Sequence, residues 1–206
     1  MQTLDLIKQY QQFYLQPRSI VSLVQVPKLS FLMIDGKGSP KDNPEYSAAV
    51  GALYSVAYTL KFAAKKGPLQ VDFKVMPLEG LWWAEDMREF SLEDRGTWLW
   101  RMMIMQPDII TPDMFRQTVQ DVRKKKNPPR LEEVRLENFE EGLSAQVFHL
   151  GPYGEAERPS VNQLHAYLKE NGYALRGKHH EIYFNSPLRA DPAKLKTIIR
   201  QPAEKV

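Results

Sequence analysis

A His-His-Glu-Ile-Tyr run that begins at His179 contains an acid where the pattern predicts a β-strand. Alternate side chains of a strand lie on the same face, so Glu181 and Tyr183 point one way with His179. We expect Ile182 and Phe184 to point the other way, into the core. The three polar side chains then lie on a surface or in a cleft. A carboxylate among aromatic rings suits a flat or cationic organic ligand.

The tryptophans form a second cluster of candidate binding residues, because all four lie between positions 82 and 100. Trp82 and Trp83 are adjacent on a predicted strand, so they face opposite ways. We expect at least one of them to be a core residue and one to line a ligand site, although both can serve packing alone. Trp98 and Trp100 share a face, and we take Trp100 as a further ligand contact.

Glu79 and Tyr153 are the remaining polar candidates. Glu79 shares its predicted strand face with Trp83, and it is either a second carboxylate across the cleft from Glu181 or a solvated edge residue. Tyr153 lies in a Gly-Pro-Tyr-Gly turn at the end of a strand. Its hydroxyl can donate a hydrogen bond to a ligand carbonyl, or it can stabilise the fold. We interpret His179 as a ligand contact or as a residue that supports one.

Several kinds of chemistry lack a motif in this sequence. There is no cysteine, and the four histidines have no spacing typical of a metal site. No G-x-S-x-G elbow and no GxxxxGK phosphate loop occurs. We therefore predict neither a metal nor a cofactor.

Composition indicates an ordinary globular protein. The 206 residues are 43% hydrophobic, and 28 basic and 25 acidic residues give a net charge of +3 with the signs interspersed. Such a charge pattern does not favour nucleic-acid binding. The sequence has no continuous apolar stretch that would span a membrane and no apolar amino-terminal leader. We expect a cytoplasmic protein, and the sequence does not indicate its oligomeric state.

The chain repeats one arrangement of landmarks. The run 103–107 resembles 198–202, each an apolar segment that we expect Gln-Pro to stop, and 32–38 resembles 147–154, each a short strand before a glycine-rich turn. Helix signals fill the gap in both halves, from Asn43-Pro44 to Gly67-Pro68 and from Pro159 to Asn171-Gly172. Each half thus reads strand, helix, strand, strand. The extra residues 79–97 of the first half suggest a rim or lid.

These elements predict an α+β fold in a single domain, 1–206. Its first module covers about 15–110 after a short amino-terminal helix in 1–14, a connecting helix lies within 111–130, and the second module covers 131–206. Paired about a pseudo-twofold, the modules form an antiparallel sheet with helices on one face. We place the ligand cleft on the other face, where Glu181 and Tyr183 would point.

Five phrases of the sequence resemble those of stand-alone GyrI-like proteins. They are Phe-Leu-Met-Ile-Asp-Gly-Lys-Gly (31–38), Met-Pro-Leu-Glu-Gly-Leu-Trp-Trp (76–83), Met-Ile-Met-Gln-Pro (103–107), His-Leu-Gly-Pro-Tyr (149–153) and His-His-Glu-Ile-Tyr (179–183). The resemblance implies two strand-helix-strand-strand (SHS2) modules around a cleft. It also implies that a glutamate, Glu181 by motif, contacts small aromatic and often cationic ligands.

The branch with these phrases is similar to cyclopropanoid cyclopropyl hydrolases, which add water to the cyclopropane of DNA-alkylating natural products. By this resemblance Glu181 would orient or deprotonate the water, Tyr183 or Tyr153 would bind the ligand carbonyl, and Trp82 or Trp83 would stack on the ligand. A non-catalytic binder that sequesters drugs, or a gyrase-inhibitor-like interaction protein, are the alternatives. We expect no fused DNA-binding helix-turn-helix.

Overall fold

The computed structural model describes residues 2–85, 96–186 and 190–206. The helices of these ranges are α1 (Leu6–Gln9), α2 (Gln11–Tyr14), α3 (Pro44–Lys66), α4 (Pro112–Lys125) and α5 (Arg158–Glu170). The strands are β1 (Gln2–Leu4), β2 (Ser22–Lys37), β3 (Val71–Phe73), β4 (Leu78–Trp83), β5 (Leu99–Gln106), β6 (Arg135–Leu150), β7 (Tyr173–Leu175), β8 (His179–Tyr183) and β9 (Lys196–Lys205). Within the described part of the chain, no helix is both long and apolar enough to cross a membrane.

The two halves have the same order of elements. β2, α3, β3, β4 and β5 in the first half correspond to β6, α5, β7, β8 and β9 in the second, and α4 lies between them. The predicted α+β class with an antiparallel sheet is confirmed. The structure adds one short strand after each long helix. The boundaries of the two modules stay a prediction.

Six strands form a closed antiparallel ring. Their order is β6, β2, β5, β4, β8 and β9, and β9 pairs again with β6. Closure gives every strand of the ring a hydrogen-bonded neighbour on both sides, so the sheet has an inner and an outer face. The short β7 extends β9 beyond the ring.

Helices α3 and α4 begin at the residues that their capping signals indicate, whereas α5 begins at Arg158, one residue before the predicted Pro159. The Asn43 side chain accepts hydrogen bonds from the first backbone amides of α3, and Thr111 does the same for α4. Leu53 and Val56 are completely buried on the predicted apolar stripe of α3. Two details differ from the prediction. The described residues 2–14 form β1, α1 and α2 rather than one helix, and β9 continues through Gln201-Pro202.

Helices cover the outer face of the ring, and the amino-terminal segment fills its interior. On the outside, Leu164 and Leu168 of α5 pack with Val147 and Ile199. Because Ile199 is the β9 partner of Glu181, the Glu181 side chain lies on this same outer face. The expectation that Glu181 and Tyr183 point away from the helices is therefore wrong.

Gly36 on β2 makes room for a large core ring. It pairs with Trp100 on β5, and a Cβ atom at Gly36 would lie 2.1 Å from that indole. We expect Gly36→Ala to lower the free energy of unfolding by about 1–3 kcal/mol or more, because the overpacked ring has to move. Gly51→Ala is the matched control: its Cβ meets nothing within 4 Å on helix α3, and we expect it to add about 0.5–1 kcal/mol. Urea unfolding of both variants measures the contrast, and equal stabilities would contradict this packing.

Candidate active site

Glu181 lies in the middle of a strand that is fixed on both edges. On β4 its partner is Gly80, and on β9 its partner is Ile199. Gly80 has no side chain, and a Cβ atom there would lie 2.8 Å from Nε1 of Trp82. The glycine of the Leu-Glu-Gly-Leu-Trp-Trp phrase therefore keeps the space beside Glu181 open for the Trp82 indole.

A chain of hydrogen bonds holds the Glu181 carboxylate. Trp82 Nε1 donates to the Tyr183 hydroxyl at 3.0 Å, and that hydroxyl donates to Glu181 Oε2 at 2.6 Å. The other oxygen, Oε1, lies 3.0 Å from Nε2 of His179. Each carboxylate oxygen thus has a polar partner, while 8% of the residue stays accessible to solvent. A small accessible fraction is what a carboxylate needs to meet a water or a ligand. We call Glu181, Tyr183, His179, Trp82, Tyr46 and Tyr153 the Glu181 site.

Aromatic rings from α3 and from two strands surround the indole of Trp82. Tyr46, in the first turn of α3, stacks on Trp82 with a centroid distance of 6.2 Å. It also meets Trp100 edge to face at 5.3 Å. Trp98 packs on Trp82 from the side, again at 5.3 Å. Because Trp100 is 0% exposed, it supports Tyr46 from behind, and its expected role as a direct ligand contact is wrong for this arrangement.

Tyr153 brings the second half of the chain to the site. It precedes a short 3₁₀ turn, Gly154–Glu157, and its ring meets Tyr183 edge to face at 5.2 Å. Its hydroxyl donates to the backbone carbonyl of Asn185 at 3.1 Å. The side chain is half-buried, so a ligand above the sheet can contact its ring.

The phenols of the site stay protonated at neutral pH. Burial and then the charge of Glu181 raise the pKa of Tyr183 well above its ordinary value. Burial, followed by the charges of Glu157 and Glu181, also raises the pKa of Tyr153. The pKa of Tyr46 is raised by burial and by Glu181 as well. All three hydroxyls are therefore hydrogen-bond donors in a site whose charge comes from carboxylates.

Sequence reasoning missed three residues of this region. Tyr46 follows a helix start, where its contact with distant strands leaves no local signal. Glu157 is only 3% exposed, and its Oε2 accepts a hydrogen bond from the backbone amide of Gly154. His165 is half-buried, and burial together with His179 lowers its pKa.

Two predicted ligand contacts lie on the inner face of the ring. Glu79 is opposite Ile182, so it points away from the Glu181 side chain. Its oxygens accept from the Tyr14 hydroxyl at 2.6 Å and lie 3.1 Å from Nε2 of His180. The expected pair of carboxylates across one cleft is therefore wrong, because the two acids are separated by the sheet.

Trp83 also faces inward, since it follows Trp82 on the same strand. It is half-buried, with the Lys178 ammonium 3.3 Å from the centre of its ring. The prediction that one tryptophan of the pair belongs to the core is confirmed by Trp82, which is 2% exposed.

The sequence also predicts a rim or lid at 79–97. Residues 86–95 of this segment lie outside the described residues, so the lid stays a prediction.

A carboxylate among several aromatic side chains, between strands of the ring and a covering helix, has the mixture of aromatic and polar groups that is typical of small-molecule sites. The sequence matches the GyrI-like small-molecule-binding domain over residues 20–202. The chain belongs to the GyrI-like family, which confirms the resemblance of its motifs.

Similar crystal structures come from Listeria innocua. A hydrolase from that organism is 40% identical with a TM-score of 0.87, and the match covers 98% of this chain and 100% of the other. An uncharacterised conserved protein of the same organism is also 40% identical, at a TM-score of 0.89 and the same coverage. The carboxy-terminal domain of EcmrR, at 14% identity and a TM-score of 0.55, shares the fold. None of the curated proteins matches the sequence.

Proposed function

We propose that this protein is a hydrolase that adds water to the cyclopropane ring of cyclopropanoid, duocarmycin-like genotoxins and so protects the cell. The observation that carries the proposal is the held carboxylate: Glu181 accepts a 2.6 Å hydrogen bond from Tyr183 and contacts His179 at 3.0 Å, among aromatic rings. The similarity to Listeria hydrolases supports an enzyme of this general class.

The reaction fits a base in a partly dry aromatic site. A water molecule attacks the cyclopropane methylene carbon while Glu181 takes one of its protons. The carbon–carbon bond of the small ring breaks, and its electron pair moves through the conjugated dienone to the carbonyl oxygen, which becomes a phenolate. The phenolate then takes up a proton, so the sum is the addition of one water. Strain relief and aromatisation drive the step, which leaves the protein to orient the water and stabilise the oxyanion.

The two tyrosines have different parts in this proposal. The Tyr183 hydroxyl is occupied on both sides, because it accepts from Trp82 and donates to Glu181. Its role is to position the base. Tyr153 donates to the backbone carbonyl of Asn185, with no side-chain acceptor among the described residues, and its ring is half-buried. It is the better candidate to turn toward the substrate carbonyl and donate a hydrogen bond to the developing oxyanion.

The aromatic side chains would form the binding surface for a flat hydrophobic or cationic ligand. Tyr46 and Tyr153 are both half-buried, and they come from elements of different halves of the chain. A planar ligand between them would stack on one ring and meet the other at its edge. Trp82 is 2% exposed, so it supports this surface from below.

Product analysis in ¹⁸O-labelled water tests the proposal against passive binding. We expect a small amount of protein to convert an excess of a duocarmycin-like cyclopropanoid to a ring-opened product that carries one labelled oxygen, as measured by chromatography with mass detection. Heat-denatured protein is the control for spontaneous opening. Recovery of unchanged compound after the protein has been denatured would instead identify a sequestering binder.

A further inference from the structure

A pocket lies on the inner face of the ring, on the opposite side of the sheet from Glu181. It encloses about 160 Å³. Its walls come from β4, β5, β6, β9 and the turn before β8, and the lining residues are Leu81, Arg101, Phe139, Glu140, Glu141, Arg176, Gly177, Lys178 and Pro202. Three of these side chains are cationic, and the proposed hydrolysis uses none of them.

The three cations differ in how their charges are balanced. Arg101 forms a two-point ion pair with Asp35, with bonds of 2.6 Å and 2.8 Å. Arg176 donates one bond, 2.6 Å long, to the backbone oxygen of Glu141. Among the described residues, no carboxylate forms an ion pair with Lys178 or with Arg176. Two cationic groups at the pocket therefore have unused hydrogen-bond donors.

Lys178 has an aromatic contact but no carboxylate partner among the described residues. The side chain is half-buried, and its ammonium lies over the Trp83 ring. Burial and repulsion from Arg101 lower the pKa of Lys178, and only Asp35 opposes them. A bound anion would offset both effects.

The two acids that line the pocket, Glu140 and Glu141, do not form ion pairs with Lys178 or Arg176 in the described part of the chain. The Glu141 carboxylate accepts from Arg200 at 3.1 Å and lies 2.9 Å from His180, so it is directed into the ring interior. Glu140 is exposed at the rim. Lys178 and Arg176 therefore line the pocket without an ion-pair partner among the described residues, beside apolar walls formed by Leu81, Phe139 and Pro202.

We propose that this pocket binds a small aromatic carboxylate. Its volume is close to the roughly 150 Å³ of a protein cavity that holds benzene, and well below the roughly 300–1,000 Å³ of sites for drug-sized ligands. One ring would lie against Leu81 and Phe139, and its carboxylate would accept hydrogen bonds from Lys178 and Arg176. The site does not depend on the proposed hydrolysis.

Calorimetric titration with benzoate tests the proposal. We expect wild-type protein to bind benzoate and to bind neutral benzamide at least about tenfold more weakly, because the charge-assisted hydrogen bonds are lost. Lys178→Met should weaken the binding of benzoate by a similar factor. Glu181→Gln should leave the Kd for benzoate unchanged, since its side chain lies on the other face of the sheet.

Each possible result decides the question. No binding of benzoate by wild-type protein, equal affinity for benzamide, or an unchanged Kd in Lys178→Met would overturn the proposal. Binding of inorganic phosphate as tight as that of benzoate would also overturn the proposal, because the apolar walls would then contribute nothing to the affinity. Lys178 is half-buried, and its ammonium contacts the Trp83 ring, so we expect the variant to fold. Lys178→Gln provides a second, polar replacement.

Discussion

Replacement of Glu181 by glutamine should reduce kcat for ring opening by about 10²–10⁴-fold, the usual contribution of a positioned general base. The amide has the same shape and can still accept the hydrogen bond from Tyr183, which is 2.6 Å in the wild type. It cannot take a proton from water. We therefore expect the binding of the intact cyclopropanoid to persist while turnover falls, as measured by product formation under saturating substrate.

Two companion variants make this result specific. Tyr183→Phe keeps the base but removes the hydroxyl between Trp82 and Glu181, and we expect a smaller loss of about tenfold in kcat. Glu170→Gln changes an exposed acid at the end of α5 and should leave kcat unaltered. Full turnover by Glu181→Gln would exclude the proposed base, provided that thermal unfolding shows all variants to be folded.

Alkaline pH should weaken the fold through a buried histidine. His180 lies 2.9 Å from Glu141 and 3.1 Å from Glu79, inside the ring, and it is 1% exposed. Desolvation, the largest influence, lowers the pKa of His180, but the charge of Glu141 and hydrogen bonds with both acids outweigh it and raise the pKa to about 9. Arg200 completes the group, so that two cations face two carboxylates.

The direction of the pH effect follows from proton linkage. His180 binds its proton more tightly in the folded state than at its ordinary pKa of 6.5, so its contribution is complete below about pH 6.5 and is lost as pH rises through about 9. The difference corresponds to about 3 kcal/mol of unfolding free energy. On the acid side, desolvation raises the pKa of Glu141, but His180 and Arg200 outweigh it and lower that pKa to about 2. The contribution of Glu141 to stability is therefore lost as pH falls from about 4.5 to about 2.

Urea unfolding between pH 4 and pH 10 measures this profile. We expect the highest stability between about pH 4.5 and 6.5, and a fall in alkaline solution. His180→Gln keeps hydrogen-bonding groups but cannot titrate, so its stability should be lower at the optimum and nearly flat from pH 6.5 to 9. A variant with the same alkaline loss as the wild type would show that another group is responsible.

Local signals in the sequence predicted the helices and the strands well. Asn43, Thr111 and Gly67 mark helix ends because capping depends on neighbouring residues alone. Strand parity correctly separated Glu181 from Ile182. Parity does not say which face the helices cover, and here both Glu181 and Ile182 are buried although they lie on opposite faces.

Contacts between distant residues account for what the sequence did not reveal. The bond from Tyr14 to Glu79 joins positions 65 residues apart, and no local pattern indicates that the amino-terminal segment enters the ring. The same is true of Tyr46, which reaches Trp82 only because α3 packs on the outer face. Only the packed fold brings these residues together, so their proximity has no signature in the local sequence.

The strand that carries Glu181 is hydrogen-bonded to β4 on one side and to β9 on the other. A group on such a strand loses little conformational entropy when a ligand arrives, because folding has already ordered it. Any adjustment to ligands of different shape must then come from the helix side of the site, where Tyr46 and Tyr153 are half-buried. If the proposed function holds, we therefore expect the protein to accept a range of flat molecules while it presents the same carboxylate, in the same position, to each of them.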